Sequence, residues 1–123
     1  MANQGIDRSL MKPMLEVILN KTIVMEFDRN TRLPGKQREF LDKMDFDMDE
    51  GIRFDGKYYE HPDALQRGKY IAMHLIQAIH TNNRGMINAM CAYLVNRLPS
   101  LNQIAAEKNN GKVTINLRFD NAA

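Results

Sequence analysis

The stretch Asp45-Phe-Asp-Met-Asp-Glu-Gly51 sets carboxylates at Asp45, Asp47 and Asp49. Oxygen ligands at alternate positions are what a helix–loop–helix calcium site uses at its positions 1, 3 and 5. The rest of that loop is missing. Position 6 needs a glycine for a sharp turn, but here it is Glu50, and Gly51 comes one residue late. Position 12 needs a bidentate glutamate, and here it is Gly56. Asp45, Asp47 and Asp49 are therefore candidates only for a weak, non-standard cation site. The first reading is a solvated acidic turn that ends a helix, with no metal and no cofactor.

A second group could do acid–base chemistry. Arg67, Tyr70, His74, Gln77 and Thr81 recur at three- and four-residue steps, which places them on one stripe of a helix. Tyr70 and His74, with Arg67 beside them, could move a proton if a pocket covered them. The same spacing is also that of an ordinary polar helix face. No two of His61, His74 and His80 are four residues apart, so no helical metal pair exists. His61 precedes Pro62 and is read as part of a helix start. The single cysteine, Cys91, falls on an apolar stripe and is read as buried rather than reactive.

A third group could hold anions or a phosphate backbone. Arg29, Arg32, Lys36 and Arg38 lie within ten residues that contain no acid. Leu33-Pro34-Gly35 makes this segment a loop leading into a helix. Directly after it, residues 42 to 51 carry five acids against Lys43, which would repel phosphates unless the fold turns them away. Phosphate-binding glycine loops of the GxGxxG or GxxxxGK[ST] kinds are absent.

These residues need elements to position them. Residues 13–27, PMLEVILNKTIVMEF, are read as one helix opened by Pro13, with Lys12, Glu16 and Asn20 as its polar stripe. The rival is a hairpin, LEVIL and TIVMEF around Asn20-Lys21, because TIVMEF is rich in strand formers. Residues 52–59 carry a hairpin signal at Asp55-Gly56. Pro62 and Asp63 open a helix, TNNRG at 81–85 breaks it, and a second amphipathic helix runs to Pro99. Ser100 to Gln103 match a capping box, which predicts a short helix to about Lys108 closed by Asn110-Gly111. KVTINLRF then alternates strictly, as a strand with one buried face does. Its expected partner is the 52–59 hairpin or the same strand of another subunit.

The expected fold is α+β, mostly helical, with a helical hairpin at 62–98 packed on a small antiparallel sheet. Residues 1–8 read as a disordered segment and 9–120 as one domain. Lys and Arg number 17 against 15 Asp and Glu, so there is no general basic excess. One cysteine and no long apolar run point to a cytoplasmic protein without a membrane span. Nine methionines and a wide apolar segment at 13–27 suggest more apolar surface than one small core uses, hence a homodimer. The leading function is a non-catalytic interaction or regulatory protein with an unknown protein partner. The alternatives are nucleic-acid binding through loop 29–38, and a small-molecule enzyme or sensor on the Arg67/Tyr70/His74 face.

Overall fold

Pairs of residues with positive φ decide the first part of the chain. Asn20 (φ 50°) and Lys21 (φ 69°) form a two-residue turn of the kind that matches the twist of a β-hairpin. They join β1 (Met14–Leu19) to β2 (Thr22–Asp28), so the described part of the helix expected over 13–27, residues 14–27, is a hairpin. Asn110 (φ 53°) and Gly111 (φ 79°) make the same turn between β5 (Leu101–Asn109) and β6 (Lys112–Phe119). The short helix expected after Ser100 is thus the nine-residue strand β5. Asp55 (φ 54°) and Gly56 (φ 77°) form the third such turn, between β3 (Ile52–Phe54) and β4 (Lys57–Tyr59).

The structure is a computed structural model that describes residues 14–31 and 35–119. The segment 1–8 expected to be disordered lies outside them, as do Met11, Lys12 and Pro13. The described residues hold three helices and six strands: a mixed four-stranded sheet and a two-stranded ribbon. The fold is roughly α+β, and the mostly helical arrangement on a small antiparallel sheet is overturned. The chain forms two compact units. One holds residues 14–31 and 100–119, and the other holds 35–99, inserted between β2 and β5.

In the sheet unit the strand order is β2-β1-β5-β6. The two hairpins are antiparallel within themselves, and β1 and β5 join them in parallel. Register places Val17 beside Ile104 and Ile104 beside Leu117, with Ala106 beside Ile115. This face is apolar, and Leu15, Val17, Ile104, Ala106 and Ile115 are buried. The opposite face carries a polar ladder. Gln103 donates to Glu16 at 2.7 Å and accepts from Arg118 at 3.1 Å. Asn20 does more than turn the chain. Its N–H donates to the Ala106 carbonyl, and its side-chain oxygen accepts from the Lys108 N–H, both at 2.9 Å. The final strand therefore pairs with β5 of its own chain, and not with the 52–59 hairpin.

The helical unit begins with α1 (Gly35–Asp49), which buries Leu41, Met44 and Met48. Gly51 ends it: its N–H donates to the Met48 carbonyl at 2.9 Å, and its φ of 110° is one that side-chain-bearing residues avoid. After the β3–β4 ribbon, Asp63 caps α2 (Ala64–His80). Its carboxylate accepts from the Gln66 N–H at 2.8 Å, and the Gln66 side chain accepts from the Asp63 N–H at 2.9 Å. That is a reciprocal capping box, so Pro62 stands just outside the helix rather than at its first position. A tight turn at Thr81–Asn83 leads to α3 (Arg84–Arg97), capped by Asn83. Among the described residues no helix is long and apolar enough to cross a membrane.

Candidate functional site

Asp45 stands where the acidic stretch becomes structural. It lies inside α1, not in a turn, and three side chains converge on its carboxylate. Tyr93 donates to Oδ1 at 2.5 Å and Arg67 to the same oxygen at 3.0 Å. Arg97 donates to Oδ2 at 2.8 Å. Arg67 also bonds Asp49 at 2.5 Å, and Arg97 bonds Asp42 at 2.8 Å. The physical reason lies in the helix dipole. Asp45, Asp47 and Asp49 sit in the last turns of α1, where the helix end is itself partly negative. The acids need cations from elsewhere, and Arg67 on α2 and Arg97 at the end of α3 supply them. Lys43 pairs with Asp47 one turn away at 3.3 Å.

The electrostatics follow from the geometry. Burial works to raise the Asp45 pKa, but hydrogen bonds from Tyr93, Arg97 and Arg67 and the Arg97 charge outweigh it. The carboxyl is held below its ordinary value of 3.8. Burial, then the bond to Asp45, pushes the Tyr93 phenol well above the usual range. These groups border a polar cleft of about 460 Å³. Their acceptors and donors are largely committed to one another, so the cluster ties α1 to α2 and α3 and takes up both Oδ1 lone pairs and one Oδ2 lone pair of Asp45. Among the described residues, no group of three His, Cys, Asp or Glu side chains is arranged to hold a metal ion.

The Arg67/Tyr70/His74 stripe is divided by this arrangement. Arg67 belongs to the acidic cluster. Tyr70 and His74 stack edge to face, 4.5 Å between centroids, beside a different cavity of about 280 Å³. Burial lowers the His74 pKa and so favours the neutral imidazole. The wall of this cavity is thioether: Met44 and Met48 from α1 and Met86 and Met90 from α3. Ile52 and Ile71 complete the apolar lining, and Asp47 stands at its edge. Met44, Met48 and Met90 are buried, whereas Phe40 is 41% and Met86 40% exposed at the mouth. It is an open, methionine-lined groove. Comparison with family models, curated proteins and solved structures yields no match.

The described residues of the basic loop are divided between the two units. Arg29 belongs to the sheet unit and donates to the Leu101 carbonyl at 2.8 Å. Arg32 lies outside the described residues. Lys36 and Arg38 are exposed on the first turn of α1, in the helical unit. His61 and His80 are exposed. Cys91 is fully buried, and desolvation pushes its thiol up to about 12. Iodoacetamide at pH 8 is expected to leave Cys91 unmodified in the native protein and to alkylate it in guanidinium, as read by intact mass. Rapid native modification would contradict this burial.

Tyr93 and Arg97 are absent from the sequence-derived candidates. One signal was present in the sequence: an acidic block with a single local lysine beside it leaves carboxylates that distant cations can pair with. The groove was signalled only by the methionine count, which gives no location.

Proposed function

We propose that the chain is a non-catalytic interaction protein and that it binds a partner through the methionine-lined groove of its helical unit. The observation that supports this is the groove itself. Buried thioethers form its floor, and two large apolar side chains, Phe40 and Met86, stand exposed at its mouth. Methionine is unbranched and polarizable, so a wall built from it adapts to the shape of an inserted side chain. Aromatic residues and methionine are enriched at protein interfaces, whereas a lone exposed leucine or valine needs no explanation. The polar cleft supports this reading by contrast, because its charged groups are occupied with each other.

A photocrosslinking amino acid placed at Phe40 or at Met86, in cells of the source, tests the proposal. Both positions are expected to give the same discrete crosslinked species. A control at Thr114, exposed on β6, is expected to give none. The Phe40 crosslink is expected to disappear when Met86→Glu is added. Equal crosslinking from Thr114, or none from the two groove positions, would count against the groove.

A further inference from the structure

We infer that the segment docked in the groove is a cationic amphipathic helix of a protein partner. This rests on the docking role proposed above and names the chemistry of the occupant.

Charge is the first ground. Asp47 is the one formally charged side chain in the groove lining, and no lysine or arginine is among the lining residues. Burial lowers the pKa of His74, which also lines the groove, and so disfavours its cationic form. The acids continue beyond Asp47 at Asp49 and Glu50 along the same chain. Arg67 and Arg97, the nearby guanidiniums, are already engaged by Asp42, Asp45 and Asp49. Lys43 does pair with Asp47, but both side chains are well exposed, at 68% and 60%. An exposed pair of this kind contributes little and is easily exchanged for an incoming cation. An anionic segment would instead meet the Asp47 carboxylate, with only the exposed Lys43 beside it to offset the repulsion.

Backbone satisfaction is the second ground. All the lining residues except Gly51 and Ile52 lie on α1, α2 or α3. Helical walls have their own N–H and C=O groups bonded internally, so they offer no edge for an extended strand to join. A segment entering such a groove must satisfy its own backbone, which a helix does. Apolar side chains on one stripe would enter the thioether pocket, and Lys or Arg on the flank would meet Asp47.

The test uses the full chain and a fluorescein-labelled designed peptide, a Leu/Lys amphipathic helix of about four turns. Its charge-reversed Leu/Glu counterpart serves as comparison. Anisotropy titrations at low and high salt are expected to show binding of the Leu/Lys helix only. Phe40→Glu and Met86→Glu, both at exposed positions, are each expected to weaken it about tenfold or more. Asp47→Lys is expected to weaken it about fivefold to tenfold, while Glu107→Lys, the same change of net charge on β5, costs less than about twofold. Circular dichroism confirms that the variants fold. If both peptides bind equally and Phe40→Glu abolishes both, the groove stands and the cationic preference is overturned. If Glu107→Lys weakens binding as much as Asp47→Lys, the attraction is non-specific and the inference fails. If neither peptide binds, and sedimentation shows a dimer that Phe40→Glu dissolves, the occupant is a second copy of this chain. If nothing depends on Phe40 or Met86, the docking role fails as well.

Discussion

Asp45→Ala is expected to destabilise the protein by about 2–3 kcal/mol. Removing one partner of a buried ion pair costs about 3–5 kcal/mol when the remaining charge is left uncompensated. Asp45 retains 28% side-chain exposure, which places the expectation at or below the bottom of that range. The loss would leave the Tyr93 hydroxyl without its acceptor and remove one carboxylate shared by two guanidiniums. Asp42→Ala and Asp49→Ala each remove a pair whose acid is 78% or 58% exposed, and should cost below about 1 kcal/mol. Urea titrations with a common m value would give this ordering. Three equal losses would mean that Asp45 is not the centre of the cluster. The pH dependence has a definite sign. A carboxyl whose pKa is lower in the folded state adds stability above its ordinary value of 3.8, and that stability drains away as the pH falls below it. The gap between wild type and Asp45→Ala should therefore be constant near neutrality and should narrow below about pH 4. A gap that widens with acid would reverse the assignment.

Gly51→Ala is the second large effect, at about 2 kcal/mol. Two costs combine at this position. A φ of 110° is strained for any residue with a side chain, and a Cβ would collide with the Tyr58 hydroxyl oxygen. Tyr58 is 55% exposed, so its ring can swing away, but it then gives up the 3.0 Å hydrogen bond it donates to the Glu50 carbonyl. A double-mutant cycle separates the two. In a Tyr58→Ala background the backbone cost should remain, at roughly half of the whole, and the collision should vanish. If Gly51→Ala is neutral in both backgrounds, the helix end is not held in this conformation. The glycine that comes one residue late for a calcium loop is thus in the right place to stop a helix.

Much of the helical unit was legible in the sequence, because its signals are local. The Asp55-Gly56 turn, the break at TNNRG and the buried stripe around Cys91 all arise from neighbours along the chain. The sheet unit was harder for a physical reason. β1 is a central strand, parallel to β5 on one side and antiparallel to β2 on the other. Burial in β1 does alternate, with Leu15 and Val17 buried, but Met14 and Ile18 on its other face are also apolar, so the alternation is masked in the sequence. MLEVIL then looked like a wide helix face, with Glu16 and Asn20 as its polar stripe. In β5, Ala105, Ala106, Glu107 and Lys108 are helix formers held extended by pairing with neighbouring strands. There, tertiary pairing outweighs propensities of a few tenths of a kcal/mol each. The candidate site was less legible still. Arg67, Tyr93 and Arg97 stand 22, 48 and 52 positions from Asp45, and only the fold brings them to it.

The insertion of the helical unit between two hairpins bears on how the chain reaches its native state. Each hairpin closes through a two-residue turn and can form on a microsecond timescale from contacts close in sequence. The parallel seam between β1 and β5 is different. Arg29 and Leu101, which bond where the two hairpins come together, are 72 positions apart. Loop-closure entropy and parallel pairing both make such a seam a late event. Collapse of the inserted helices first would shorten the effective tether and speed the seam. At high concentration, the route that would compete is exchange, in which the β5–β6 hairpin of one molecule would complete the β1–β2 hairpin of another.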